Sequence, residues 1–228
     1  MIKLEASKPA RIRTDYRSRF ISLLKRVFGA EEFEKNKVRP YTFAVYFGKA
    51  KVGKEWIEDV RFINLRISTG DPEYGIRLYN GFLNLKGNVH RIGDNAFFIK
   101  DIILEKEGDW SRGLFKTLSP AVVERHGVKD RDPGKKYAVP SDEDFREHLL
   151  ENTLRRFQVV MGYEPQLNGF ELEPEFYKVE FVRHYGGYVR TFMGRFRIKT
   201  DSPELLRFVY EYGLGLRTGQ GFGYLEVI

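Results

Sequence analysis

Hydrophobic periodicity switches between about two and about 3.6 residues in the same order twice along this chain, and few folds accept that order. In the first pass, MIKLEA reads as a strand. TDYRSRFISLLKRVFG follows as a helix, with Tyr16, Phe20, Leu23, Leu24, Val27 and Phe28 on one face. Thr14 or Asp15 is placed to cap that helix and Gly29 to end it. Arg17, Arg19, Lys25 and Arg26 fall off the apolar stripe and are expected to point outward. Two strand-like runs follow at 41–48 and 59–69. Asp71 and Pro72 then open a helix through EYGIRLYNGFLNL, and residues 95–105 read as a strand.

The second pass begins with GLFKTLSPAVVE (113–124), strand-like up to Pro120, and a polar loop from Arg125 to Val139. SDEDFREHLLENTLRRFQ reads as a helix capped by Ser141, with Asp144 three residues on. EFYKVEFVRHY and YVRTFMGRFRIKT form a hairpin with Gly186-Gly187 at its turn. Ser202 and Pro203 open a last helix, PELLRFVYEY, which Gly213 ends, and YLEVI is the last strand. The order is β-α-β-β-α-β, twice, which is the split βαβ arrangement. The expected class is α+β: two tandem ferredoxin-like units, residues 1–110 and 111–228, the second carrying a glycine-rich loop at 213–223.

Composition narrows the chemistry. Hydrophobic residues at 42% and aromatic residues at 15% support a packed core. With no cysteine, disulfides, thiolate nucleophiles and cysteine zinc sites are excluded. The four histidines stand far apart without ligand spacing, so no metal and no cofactor are expected. No run of about 18 apolar residues suggests a membrane span, and a soluble cytoplasmic protein is the expectation. High Lys, Glu and Arg lean toward a thermophile. Residues 1–40 hold eleven Lys or Arg against five acids, nearly the whole of the net charge of +7. Such a surface is either a solvated basic face or a polyanion site.

The loop GLGLRTGQGFG tests the second option. It lacks the Lys-Ser/Thr pair of a phosphate-binding P-loop, since Phe222 follows Gly221. A dinucleotide loop joins a strand to a following helix, whereas here a helix precedes and a strand follows. The pattern is Gly-hydrophobic-Gly at 213–215, a basic residue at Arg217, and Gly-hydrophobic-Gly at 221–223. In its place between the last helix and last strand of a ferredoxin-like unit, this loop resembles the signature of the RAMP proteins of CRISPR systems. The chain is most similar to the branch that processes CRISPR repeat RNA. The TLSPAVV stretch (117–123) looks like the strand that opens the second half in that family. Glycines there let backbone approach either a phosphate or a neighbouring helix closely.

The resemblance implies single-stranded or hairpin repeat RNA as partner, no membrane, and guide-RNA maturation as the process. It leaves open a homodimer and hand-off of the RNA to a CRISPR effector complex. RNA contacts are expected from Arg17, Arg19, Arg26, Arg39 and the loop residues Gly213, Gly215, Arg217, Gly219, Gly221 and Gly223. A second basic row, Arg195, Arg197 and Lys199, shares one strand face with Thr191 and Met193, while Phe192, Phe196 and Ile198 take the core side. Like charges at that spacing repel, and a bound polyanion would supply their partner.

The chemistry implied by the resemblance is metal-independent. The 2′-OH attacks the adjacent phosphate and leaves a 2′,3′-cyclic phosphate and a 5′-OH. Many members of that family place a histidine on or just after the first helix as acid–base group. No histidine stands between Met1 and Val89 here. Lys25, Lys35, Lys37 and Tyr41 are the catalytic candidates that remain, and a binder that does not cut is the alternative. His126 and His184 are expected to be ordinary surface or loop histidines.

Overall fold

The computed structural model describes residues 1–29, 31–33, 38–130 and 132–228. Its first sheet is built from β1 (Ile2–Arg13), β2 (Thr42–Tyr46), β3 (Lys51–Val52), β4 (Trp56–Ser68), β5 (Val89–Ile92) and β6 (Asn95–Ile102), in the order β2-β4-β1-β6-β5 with β3 on β4. α1 (Arg17–Phe28) and α2 (Pro72–Leu85) connect its strands in split βαβ fashion. The second sheet runs β10 (Phe170–His184), β11 (Gly187–Thr200), β7 (Leu114–Thr117), β12 (Leu225–Val227). α4 (Phe145–Met161) and α5 (Pro203–Tyr212) are its crossovers. Both sheets are antiparallel and repeat one topology, so the chain is two tandem ferredoxin-like units. Each has its own core, around Leu4, Phe20, Phe43 and Phe97 in the first and Phe115, Phe157, Phe192 and Phe208 in the second.

Local signals decide most element ends. Asp71 accepts from the N–H groups of Glu73 and Tyr74, and Pro72 sits where no N–H is needed. Ser202 accepts from the Leu205 N–H in the same way. Gly29 ends α1 at φ +93°.

Three local expectations are corrected. Neither Thr14 nor Asp15 caps α1, which starts at Arg17 after Tyr16 without a side-chain cap. Asp144, not Ser141, precedes α4, and its carboxylate turns to Arg125 instead of the helix N–H groups. Arg125 engages both of its oxygens in a bidentate, charge-assisted pair. The hairpin turns on Tyr185 and Gly186, both at positive φ, with Gly187 already paired to His184. The 113–124 stretch breaks into β7 and β8 (Val123–Glu124). The polar segment after it holds the short helix α3 (Pro133–Lys136) and β9 (Tyr137–Ala138), which pairs with β8.

The units meet through the end of the second against the start of the first. Thr42 Oγ1 donates to the Phe222 carbonyl at 2.9 Å, and Arg66 on β4 pairs with Glu226 on β12.

Candidate nucleic-acid interface

The glycine-rich loop is buried along its backbone. A Cβ on Gly215, at φ +72°, would lie 2.1 Å from the Val122 carbonyl oxygen, and one on Gly221 would lie 2.6 Å from the Phe43 ring. Those two positions exclude any side chain. Gly213, Gly219 and Gly223 are buried with them. The loop carbonyls are satisfied from within the protein. Arg156 of α4 donates to the carbonyls of Tyr212, Gly213 and Gly215 at 2.8, 2.8 and 2.6 Å. Burial pulls the Arg156 guanidinium down to about 9, which leaves it charged at neutral pH.

Arg17 belongs to the same packing. Its Nε donates to the Gly221 carbonyl at 3.1 Å, and its guanidinium lies 4.6 Å over the Phe222 ring. The expectation that Arg17 faces solvent and RNA is corrected. It is buried because a loop two hundred residues away covers it. The glycines expected to touch RNA are corrected likewise, since their surface is spent on packing. Arg217 points sideways, to the Tyr137 hydroxyl at 2.7 Å and the Glu124 carboxylate at 3.4 Å, so its charge is matched internally.

Beside this loop lies an open basic group. Lys25 and Arg39 approach the half-buried ring of Phe33 at 5.6 and 4.6 Å. Arg39 packs on Gly219, where a Cβ would meet its own Cβ at 2.9 Å. Arg19 and Arg26 stand seven residues apart on α1, one face and two turns apart, and both are exposed. Lys35 and Lys37 lie outside the described residues. Tyr41 does not join this group. It is fully buried, stacked on Phe28 at 5.6 Å, and its hydroxyl has no partner among the described residues. Burial pushes its ionisation far up, so the expectation of a catalytic Tyr41 is corrected.

Two histidines reach the neighbourhood from elsewhere in the chain. His90 is buried, with Nδ1 3.1 Å from Arg26 and Nε2 3.0 Å from the Leu85 carbonyl. His184, expected at the surface, is buried instead. Its Nε2 lies 2.8 Å from the Gln220 side-chain oxygen, and its ring meets Phe222 edge-on at 5.3 Å. Burial, with Arg17 and Arg217 adding to it, lowers His184 to about 4. The inner face of the hairpin tip is thereby seated on the glycine loop.

The second basic row is exposed, with Phe192, Phe196 and Ile198 buried on the other side. Its need for an external counter-charge is corrected in part. Lys199 pairs with Glu173 across the strands, and Arg195 lies 6.0 Å over Phe176. The neighbouring strand β10 supplies carboxylates at the register positions opposite Arg197 and Lys199.

A family model described as the C-terminal part of the CRISPR-associated protein Cas6 matches residues 105–227, more than half of the chain. The chain belongs to the Cas6 family. It is similar to the CRISPR-associated endoribonuclease-like protein Cas6nc of Pyrococcus horikoshii, at 32% identity over 63% of this chain and 60% of that protein. It is also similar to an endoribonuclease-like Cas6 protein of Pyrococcus furiosus, at 32% identity over 73% of this chain and 68% of that one. The chain thus spans about three fifths to two thirds of these two relatives. Several solved structures cover it from end to end. A Cas6-related protein of Pyrococcus furiosus superposes with a TM-score of 0.83 at 25% identity, covering 100% of this chain and 98% of that one. A RAMP protein described as binding different RNA substrates gives 0.81 at 26%, with the same coverage.

In this Cas6 family member, two residues escaped the sequence reading, Phe33 and Arg156, and His184 was expected at the surface rather than under the loop. Only Arg156 left a signal there. It falls on the buried stripe of α4 with Leu149, Asn152, Thr153 and Phe157, an arginine where an apolar residue belongs.

Proposed function

We propose that the protein binds CRISPR repeat RNA and cuts it slowly, without metal, by attack of a 2′-OH on the adjacent phosphate. The observation that carries this reading is the open group of Lys25, Phe33 and Arg39, seated through Arg39 on Gly219 of the glycine loop. Cations take the RNA phosphates, and Phe33 offers an aromatic surface to an unpaired base. The buried backbone of the loop holds this group in place. Lys25 supplies an ammonium for the charge that builds on the phosphorane. The family name of the relatives and the RNA-binding description of the RAMP neighbour support the same reading.

Among the described residues no histidine or tyrosine is positioned as an acid–base group, and lacking one costs about 10²- to 10⁴-fold, which is the ground for the slow rate. His184 and His90 are buried in packing, and Tyr41 has no path to substrate. That burial also favours a second reading, a repeat-RNA binder acting as a scaffold.

One assay separates the two. Repeat RNA is incubated with excess protein in EDTA, beside a substrate carrying hydrogen in place of the 2′-OH next to the scissile phosphate. A cyclic-phosphate product from the first substrate alone supports cutting. Tight, salt-dependent binding with no product over hours supports the scaffold. Absence of binding overturns both.

A further inference from the structure

Strand alternation at the hairpin tip sends successive residues to opposite faces. His184 and Val182 go inward, toward the glycine loop and its neighbours. Phe181, Arg183, Tyr188 and Arg190 go outward. The register pairs Phe181 with Arg190 and Arg183 with Tyr188. The outward face is therefore a two-by-two checkerboard, each aromatic ring opposite an arginine and the two rings on a diagonal.

Among the described residues, no ring or cation contact engages these rings. Phe181 and Tyr188 are each 59% exposed. Arg183 is exposed as well. Arg190 is fixed by the Asp142 carboxylate through both guanidinium NH2 groups, which makes that corner rigid. Glu180 pairs with Thr191 and falls on the other face, so no carboxylate of β10 interrupts the checkerboard.

From this arrangement we infer that the outer face of the hairpin tip is a stacking platform for unpaired nucleotides of a bound RNA strand. Phe181 and Tyr188 each take one base, and Arg183 takes a phosphate between them. Diagonal neighbours on a sheet are about 7–8 Å apart, which leaves each ring its own base. Rings alternating with cations suit a strand that carries one flat base and one negative charge per unit. The inference rests on the reading of this chain as an RNA binder. It adds a site on the far side of the strands from the glycine loop.

The test uses the whole protein and two labelled probes: an oligouridylate of about 16 nucleotides, and a strand of equal length whose sugars carry no bases. The wild type is expected to prefer the first. Phe181→Ala/Tyr188→Ala should lose roughly tenfold affinity per ring for oligouridylate alone, at an unchanged salt slope. Tyr188→Phe should keep its share. Arg183→Gln should lower the slope by about 0.7 on both probes. A 4-thiouridine crosslink from oligouridylate should map to 181–188. All three side chains are exposed, so a thermal melt is expected to stay in place. Equal affinity of wild type and the double alanine variant for oligouridylate overturns the platform while leaving repeat-RNA binding intact, and points to a protein-facing patch. Failure of the wild type to bind any RNA overturns the functional reading and the platform together.

Discussion

The glycine loop and the group around Phe33 both set cations over aromatic rings, yet they serve different ends. In the loop, Arg17 lies over Phe222 and Arg217 over Tyr137, and both spend their N–H groups on protein oxygens. Around Phe33, Lys25 is exposed, and Arg39 gives only its Nε, at 3.4 Å, to the Glu32 carbonyl and keeps part of its surface open beside the same loop. The geometry over the ring is alike. What differs is where the remaining hydrogen-bond capacity goes. A buried cation with satisfied partners is a structural clamp, and an exposed one is a binding group.

The comparison breaks most readily at Arg156, the clamp under the loop. Arg156→Met should cost about 3–5 kcal/mol in urea unfolding, because three buried carbonyls lose their donor together. A loss under about 1 kcal/mol would mean that the loop does not depend on it. Gly215→Ala comes next, at about 3 kcal/mol, from strain at positive φ and the clash with the Val122 carbonyl.

His184 gives the pH dependence of the clamped region. Its folded value of about 4 lies below the ordinary 6.5. The unfolded chain therefore takes up a proton first as pH falls. The stability His184 provides is present in full above about pH 6.5 and is lost progressively toward pH 4, up to about 3 kcal/mol. The urea midpoint of wild type should fall more steeply over that window than that of His184→Asn. Parallel profiles would place His184 outside the clamp.

Smaller effects belong to the open group. Arg39→Ala and Lys25→Ala should each weaken single-stranded RNA binding about three- to tenfold and lower the salt slope by about 0.7, with an unchanged melting temperature. A fall in melting temperature instead would move Phe33 and its cations into the structural class. Smallest of all is Tyr41→Phe. It removes a buried hydroxyl that has no partner among the described residues, so stability should stay within about 1 kcal/mol or rise, and cleavage should not change.

Much of this was legible in the sequence. The strand and helix order, the caps at Asp71 and Ser202, the stops at Gly29 and Gly213, and the place of the glycine loop are local properties. Period, capping chemistry and glycine conformation act within a few residues of where they are written. The basic first helix was legible as a charge count. The fate of each charge was not. Arg17 and Arg19 stand two residues apart, and helical spacing puts both off the apolar stripe. Yet one is clamped under Gly221 and the other is in water.

Tertiary structure alone decided that difference, along with the burial of Tyr41 and His184 and the seating of Arg39 on Gly219. Each depends on a segment brought from far along the chain. Burial is a property of what covers a side chain, and hydrogen-bond capacity is free or spent only once the cover is in place.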